Sequence, residues 1–474
     1  MDNKDINQGP DKHDLSYFFE PESIAIIGSF REGFFGGTMV VKTLINAGFA
    51  GRIYPVNPSY KKSHNLKVYS SMKEIPERVD LTLIMINVQT VPSVMEECAE
   101  NGVRAVIIVA DGFAERDREG ARLQKKVLEI ASQAGIRIIG PNTAGIVNTA
   151  NGVNPCPYES GYYNLKQGSI ALCSQTGLIN PQSYPYPHQP FGVSKICDFG
   201  NKCDVDESDI LEYLGKDPAT KVISMHLENI KDGQRFLEVS KKVTVQKPVL
   251  ILKLGKTPEG ARASASHSGS LAVDDHIFDA VCKQAGILRI DRLDDLFEIP
   301  KFFAGQPLPA GNRLGIVTLT GAVGVLTSDE VGGYGLCVKQ LTPETASKLE
   351  EIFHGLGKMP VDIGPMMANV NNFTIYSNML NIIMADENVD CILNTLWAHG
   401  KGYGMEDFIN TYKELKDRYQ KPVVTWIYGP SLSVKAELIE RLADLGFPVF
   451  NDPETAIKAL GLAYRYSLFR KSLP

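Results

Sequence analysis

The stretch SIAIIGSFREGFFGGTMVVKTLINAG, residues 23–48, decides how the fold is read. It opens on an almost unbroken apolar run without strict alternation, as expected of a strand buried on both faces. Gly28 ends that run, Gly33, Gly36 and Gly37 follow, and the residues after them have the pattern of a helix. A buried strand, a glycine turn and a helix are the opening of a parallel α/β sheet. The same order recurs along the chain. GRIYPVNP, LTLIMINV, RAVIIVA and RIIGPN are further strands, with helices at TVPSVMEECAENG and REGARLQKKVLEIASQAG. The pattern restarts at SIALCSQTG (169–177), after a turn-rich connector, and again at LGIVTLTG (314–321), after the Pro- and Gly-containing FFAGQPLPAGNR. The expected organisation is a polar tail, 1–15, and three doubly wound α/β domains at 16–148, 149–304 and 305–474.

Composition narrows the function. A net charge of -6 argues against a nucleic-acid surface, which needs clustered Lys and Arg. No apolar run reaches the roughly 18 residues of a membrane span, and the opening MDNKDINQGPDKHD lacks the apolar region of a signal peptide. The eight cysteines form no CxxC pair and no Cys/His cluster with zinc spacing, so no metal site and a reduced, cytoplasmic setting are expected.

Open parallel sheets bind ligands where strands end, so the turns after strands carry the chemistry. Glycines in the turn from Gly28 to Gly37 let backbone N–H groups approach a phosphate at a helix N-terminus. The spacing is not GxGxxG and no acid follows YPVN to hold a ribose, which disfavours a nicotinamide-dependent dehydrogenase. In KLGKTPEGARASASHSGSLA (253–272), His267 sits among Ala, Ser and Gly. Small neighbours expose an imidazole, which favours a nucleophile or general base over a packed core histidine. His13, His64 and His188 read as surface or loop residues. The SQTG turn and the TLTGAVG turn each offer N–H groups and a helix end to an anion. In FGNKCDVDESDILEYL (199–214) the acids read as an N-cap and first helical turn. Glu228, at the end of a middle-sheet strand, is placed to hydrogen-bond a ring nitrogen of His267; the alternative is a surface strand-end acid.

Taken in order, these motifs resemble the α subunit of NDP-forming acyl-CoA synthetases, above all the ADP-forming acetate–CoA ligases, relatives of succinyl-CoA synthetase. The resemblance rests on SASHSGSLA, CDFGNKCDVDESDILEYL and HLENIKDGQRF, supported by GRIYPVNP, DGFAE, IIGPNTAGIVN and GNRLGIVTLTGAVGVL. It implies a Rossmann-like CoA-binding domain followed by two flavodoxin-like domains. It also implies the interconversion of acyl-CoA, phosphate and ADP with a carboxylic acid, CoA and ATP, through an acyl phosphate and a phosphohistidine. His267 takes the phosphohistidine position and Glu228 that of its supporting glutamate. Phosphate is expected at Ser174, Gln175, Thr176 and Gly177, and at Thr320, Gly321, Ala322 and Gly324. CoA is expected at Gly28, Ser29, Phe30, Gly36 and Gly37 through its phosphates, at Asn57 and Pro58 through its adenosine, and at Asn87, Gly112 and Asn142 through its pantetheine arm. The sequence shows no P-loop and nothing resembling an ATP-grasp domain, so Mg-ADP or Mg-ATP is expected on a separate ATP-grasp β subunit in a hetero-oligomer.

The sequence departs from the family around the CoA and acyl end. SQTGLINPQSYPYPHQP stands where SQSG and a continuing helix are usual, Gly28-Ser29-Phe30 replaces G-A-S/D, GPNTAG replaces GPNCxG, and Ser59 and Tyr60 precede Lys61. These changes predict a carboxylic acid other than plain acetate. They also leave open a protein of the same fold that binds CoA or acyl-CoA without turnover.

Overall fold

Three sheets organise the computed structural model, which describes residues 14–33, 35–159, 161, 165–181, 190–268, 274–369, 373–400 and 404–473. The strands of the first are β1 (Ser23–Gly28), β2 (Arg52–Val56), β5 (Leu81–Met85), β6 (Ala105–Ile108) and β7 (Arg137–Ile139), and a two-stranded hairpin of β3 (Lys62–Ser63) and β4 (Leu66–Lys67) follows β2. The order is β2-β1-β5-β6-β7, all parallel. The second sheet contains β8 (Gly145–Asn148), β9 (Gln167–Ser174), β10 (Val193–Asp198), β11 (Val222–Leu227), β12 (Val249–Lys253) and β13 (Leu288–Ile290), in the order β13-β12-β11-β9-β10-β8. The third has β14 (Leu314–Thr318), β15 (Val361–Asp362), β16 (Cys391–Trp397), β17 (Val423–Tyr428) and β18 (Val449–Phe450), in the parallel order β15-β14-β16-β17-β18.

The apolar runs are buried on both faces, as their lack of alternation requires. Along β1, Ile24 and Ile26 join one core cluster while Ala25 and Ile27 join another. The first cluster also takes Ala171, Cys173, Cys197 and Met225 from the second sheet, together with Phe18 and Phe19. Two sheets sharing a core fold as one unit, and the chain accordingly divides into two units, Met1–Asp291 and Arg292–Pro474. β8 fits the same picture. It lies at the end of the expected first domain, yet it pairs antiparallel with β10 of the second sheet, with Gly145 opposite Asp198.

In each sheet the strand order reverses once, and such switch points open a crevice beyond the strand ends. The first lies between β1 and β5, the second between β9 and β11, the third between β14 and β16. Gly28, the SQTG turn with Glu228, and the TLTG turn follow those strands, so each expected phosphate or CoA turn sits at a switch point.

His267 belongs to the helix Pro258–Ser268, and the Ala-rich run before it is a strong helix former. One local expectation changes. After SQTG the chain makes only the three-residue 3-10 turn Gly177–Ile179, where a helix N-terminus is expected; Pro181 follows closely. Among the described residues no helix is long and apolar enough to cross a membrane.

Candidate active site

The glycine turn after β1 is closely built. Gly37 donates its N–H to the Ser29 carbonyl at 3.0 Å, and a Cβ on Gly37 would lie 2.9 Å from the Phe30 ring. Gly36 has φ +128°, in the region that favours glycine. The Asn57 amide donates to the Gly28 carbonyl at 2.8 Å while its oxygen accepts the Ser59 N–H, so this side chain fixes the turn. Pro58 is exposed beside it. The Ser29 hydroxyl is exposed and lies 3.2 Å from that of Tyr60. The Phe30 ring is buried against Tyr60, which withdraws this side chain from any ligand and leaves only its backbone for the expected CoA contact.

Beyond β5, β6 and β7 lies a cavity of about 500 Å³. Its wall joins Met85, Asn87 and Asn142 of the first sheet's edge to Gly177, Asn180 and Asp198 of the second. Asn87 caps the following turn by accepting the Gln89 N–H, and Asn142 adopts φ 59°. Gly112 stands behind the wall, its N–H given to Glu115 at 2.6 Å, while Asp111 and Arg116 line it. Gly28, Gly36, Gly37, Asn57 and Pro58 are not part of that wall; Phe35 and Met85, next to the turn in sequence and in the sheet, are.

Three neighbouring strands of the second sheet bring Asp198, Ser174 and His226 into one row. The Ser174 hydroxyl donates to the Thr176 carbonyl at 2.6 Å, accepts the Thr176 N–H at 3.1 Å, and lies 3.0 Å from Nδ1 of the buried His226. Gln175 fastens this turn to the next, since its Oε1 accepts the N–H groups of Glu228 at 2.9 Å and Asn229 at 3.2 Å. Glu228 is thereby held at the switch point and is 6% exposed, so it is no loose surface acid. Behind it, the buried Lys202 ammonium donates to Glu207 at 2.8 Å and to the Asn229 carbonyl at 2.9 Å. Burial lowers the Lys202 pKa, and Glu207 opposes that shift. The other acids of this loop are structural, as their sequence suggests. Asp206 caps the helix Glu207–Lys216 in a capping box with Asp209, and Asp204 and Asp209 each bind Arg137 at 2.9 Å.

His267 lies beyond β12, the strand next to β11, but its side chain is outside the described residues, and so is its expected pairing with Glu228. In the second unit the clasp of Ser174 recurs. The Thr318 hydroxyl donates to the Thr320 carbonyl at 2.5 Å and accepts the Thr320 N–H at 2.9 Å. Thr320 then caps the helix Gly321–Val331 through the Val323 N–H. Gly321 and Ala322 are exposed at that helix start; Gly324 is buried, where a Cβ would meet Pro360 at 3.1 Å.

Sequence reading passed over Asp198, Lys202 and His226. Asp198 and His226 stand at or one residue before a strand end, in line with Ser174, and that shared position was the available signal. The burial of Lys202 follows from loop folding that no local pattern encodes.

Residues 22–149 match a family described as CoA binding domain, and residues 167–303 one described as succinyl-CoA ligase like flavodoxin domain. The chain is 37% identical to the acetate–CoA ligase [ADP-forming] II subunit alpha of Pyrococcus furiosus, over 94% of this chain and 96% of that one. It is also 37% identical to the acetate–CoA ligase [ADP-forming] II of Archaeoglobus fulgidus, over 97% of this chain and 67% of that longer protein. Among solved structures, the dinucleotide forming acetyl-coenzyme A synthetase 1 of Ca. Korarchaeum cryptofilum, in complex with phosphate and ADP, superposes with a TM-score of 0.85 at 28% identity, covering 97% of this chain and 98% of that one. By sequence over nearly its whole length, and by fold, the chain belongs to the ADP-forming acetate–CoA ligase family of enzymes, as a counterpart of the alpha subunit.

Proposed function

We propose that this chain is the α subunit of a cytoplasmic ADP-forming acyl-CoA synthetase. It interconverts acyl-CoA, phosphate and ADP with a carboxylic acid, CoA and ATP. The observation that carries this reading is the cavity whose wall unites Asn87 and Asn142, expected on the pantetheine arm, with Gly177 of the phosphate turn. One cavity that serves both the thioester and the phosphate suits phosphate attack on an acyl-CoA.

CoA fits the first switch point: small residues close the turn, and a Cβ at Gly28 or Gly37 would crowd it. His267, as neutral imidazole, takes the phosphoryl group from the acyl phosphate, and Glu228 supports the charge that develops on the ring. The helix Gly321–Val331 offers the positive end of its dipole to phosphoryl oxygens. The SQTG turn offers backbone N–H groups alone, its single 3-10 turn having little dipole to add. An ATP-grasp β subunit holds the magnesium nucleotide and receives the phosphoryl group, so the working enzyme is a hetero-oligomer.

The full chain should be incubated with ³²P-phosphate and a panel of acyl-CoA thioesters. Acid-labile, alkali-stable label is expected on the wild type, none on His267→Ala and less on Glu228→Gln. The chain should bind CoA yet make no ATP until a β subunit is added. Undiminished label on His267→Ala, or ATP synthesis by the single chain, overturns the scheme.

A further inference from the structure

The cavity wall holds one buried ionisable side chain that this scheme does not use. Asp198 ends β10 and is 2% exposed. One carboxyl oxygen accepts the Ala144 N–H at 2.8 Å and the other the Gly200 N–H at 3.1 Å. A carboxylate oxygen has two lone pairs, so each keeps one for a further partner. The other ionisable side chains on the wall are poorer proton acceptors or stand in water. Arg116 is a cation bonded to Asp117 at 3.0 Å, burial raises the Tyr158 phenol, and Asp111 is exposed. Around Asp198 on the packed elements stand Glu115, bonded to Asn201 beside Gly200, and His226, beyond the Ser174 that pairs with Asp198. Burial raises the Asp198 carboxyl to about 6, opposed by the two N–H groups, so at neutral pH it is a carboxylate of useful basicity.

On the reading above, the CoA thiol enters this cavity past Asn87 and Asn142, and an alkyl thiol, no more acidic than a cysteine side chain at about 8.5, arrives protonated. We propose that Asp198 is the general base that takes the CoA thiol proton during attack on the acyl phosphate, and the general acid that returns it in reverse. In the thioester-forming direction the proton moves from sulfur to the Asp198 carboxylate and the sulfur pair bonds to the acyl carbon. The bond from that carbon to the phosphate oxygen breaks, and phosphate leaves with the electron pair. Asp198 then releases its proton to solvent. In reverse, phosphate attacks the thioester carbon, the carbon–sulfur bond breaks, and protonated Asp198 neutralises the departing thiolate. This inference rests on the ligase reading.

The test uses the full chain, Asp198→Asn and Asp198→Glu, with two half-reactions followed from pH 5 to pH 8.5. Thioester formation from acyl phosphate and CoA needs the carboxylate, so its rate should rise through about pH 6. Arsenate-dependent release of CoA from acyl-CoA needs the acid, so its rate should fall through the same range. Asp198→Asn should bind CoA within about threefold of wild type by calorimetry, lose on the order of 10²-fold in both rates, and flatten both limbs. Asp198→Glu should recover part of the rate and both limbs. Mirrored limbs that survive in Asp198→Asn overturn the proposal. So does a Glu variant no better than Asn with CoA affinity equally lost, which marks a structural brace between Ala144 and Gly200. A wild-type chain that binds CoA but performs neither half-reaction on any acyl group of the panel overturns the ligase reading itself.

Discussion

Replacing Lys202 by methionine should cost the first unit about 3–5 kcal/mol, because it strands a buried carboxylate. Lys202 is 3% exposed and Glu207 0%, so water cannot take over from the lost ammonium. The Asn229 carbonyl loses the Lys202 donor as well, while the other Glu207 oxygen keeps the Lys231 N–H at 2.8 Å. Adding Glu207→Gln removes the stranded charge and retains an acceptor for that N–H. The double variant should therefore be less destabilised than the sum of the singles, with a coupling of about 2 kcal/mol. With a urea slope of about 3 kcal/mol per M, a loss of 4 kcal/mol moves the midpoint by roughly 1.3 M. The chain offers a convenient control. Both tryptophans, Trp397 and Trp426, lie in the second unit, so the shift should show in far-UV circular dichroism while the fluorescence midpoint stays in place. A Lys202→Met loss of stability below about 0.5 kcal/mol, or strictly additive singles, would refute the pair's role. Because this pair backs the Asn229 carbonyl, Lys202→Met should also slow any step that depends on Glu228.

Gly28→Val adds bulk where a Cβ already meets the Met85 carbonyl at 3.3 Å, and calorimetry on the full chain should show CoA binding weakened at least about tenfold with circular dichroism unchanged; unaltered affinity puts the CoA phosphates elsewhere. Asp198 should leave a signature in stability as well. Its folded carboxyl is raised from 3.8 to about 6, so the native state binds the extra proton between those values and stability falls as pH rises through them, by about 3 kcal/mol. Asp198→Asn should gain that much relative to wild type between pH 4 and pH 7 in urea titrations, and a pH-independent difference would contradict the raised value. The Pro- and Tyr-rich run after SQTG predicts a preferred acid other than acetate, and a substrate panel in which acetate gives the highest kcat/KM refutes this.

Most of the architecture was legible because buried parallel strands advertise themselves. SIAIIG, LTLIM and VLILK are apolar on both faces and end in Gly, Asn or Lys-Leu-Gly turns, so strand ends and ligand edges could be placed together. Short edge strands were not legible: β15 and β18 are two residues each, and their pairing is set by neighbours and not by pattern. At the site, Glu228 could be found because it directly follows an apolar strand, at the edge where a parallel sheet binds ligands. Lys202 and Glu207 could not, since a lysine and a glutamate five residues apart in a polar loop look solvated until tertiary folding buries them. The burial of Phe30 was missed for the converse reason. Its place in the glycine turn suggested a ligand, but an aromatic ring beside Tyr60 gains more from the core than from water.

β8 bears on how such a chain can be taken apart. A cut at residue 148, where the sequence suggests a domain boundary, would give an N-terminal fragment ending in Gly145–Asn148, four buried residues deprived of the strand they pair with. The remaining piece would expose the β10 edge, whose unpaired N–H and C=O groups invite aggregation. The Met1–Asp291 unit is therefore not a string of interchangeable modules. Recombination, proteolytic dissection or fusion design would preserve folding by treating Met1–Asp291 as one inherited piece and placing the joint at its far end.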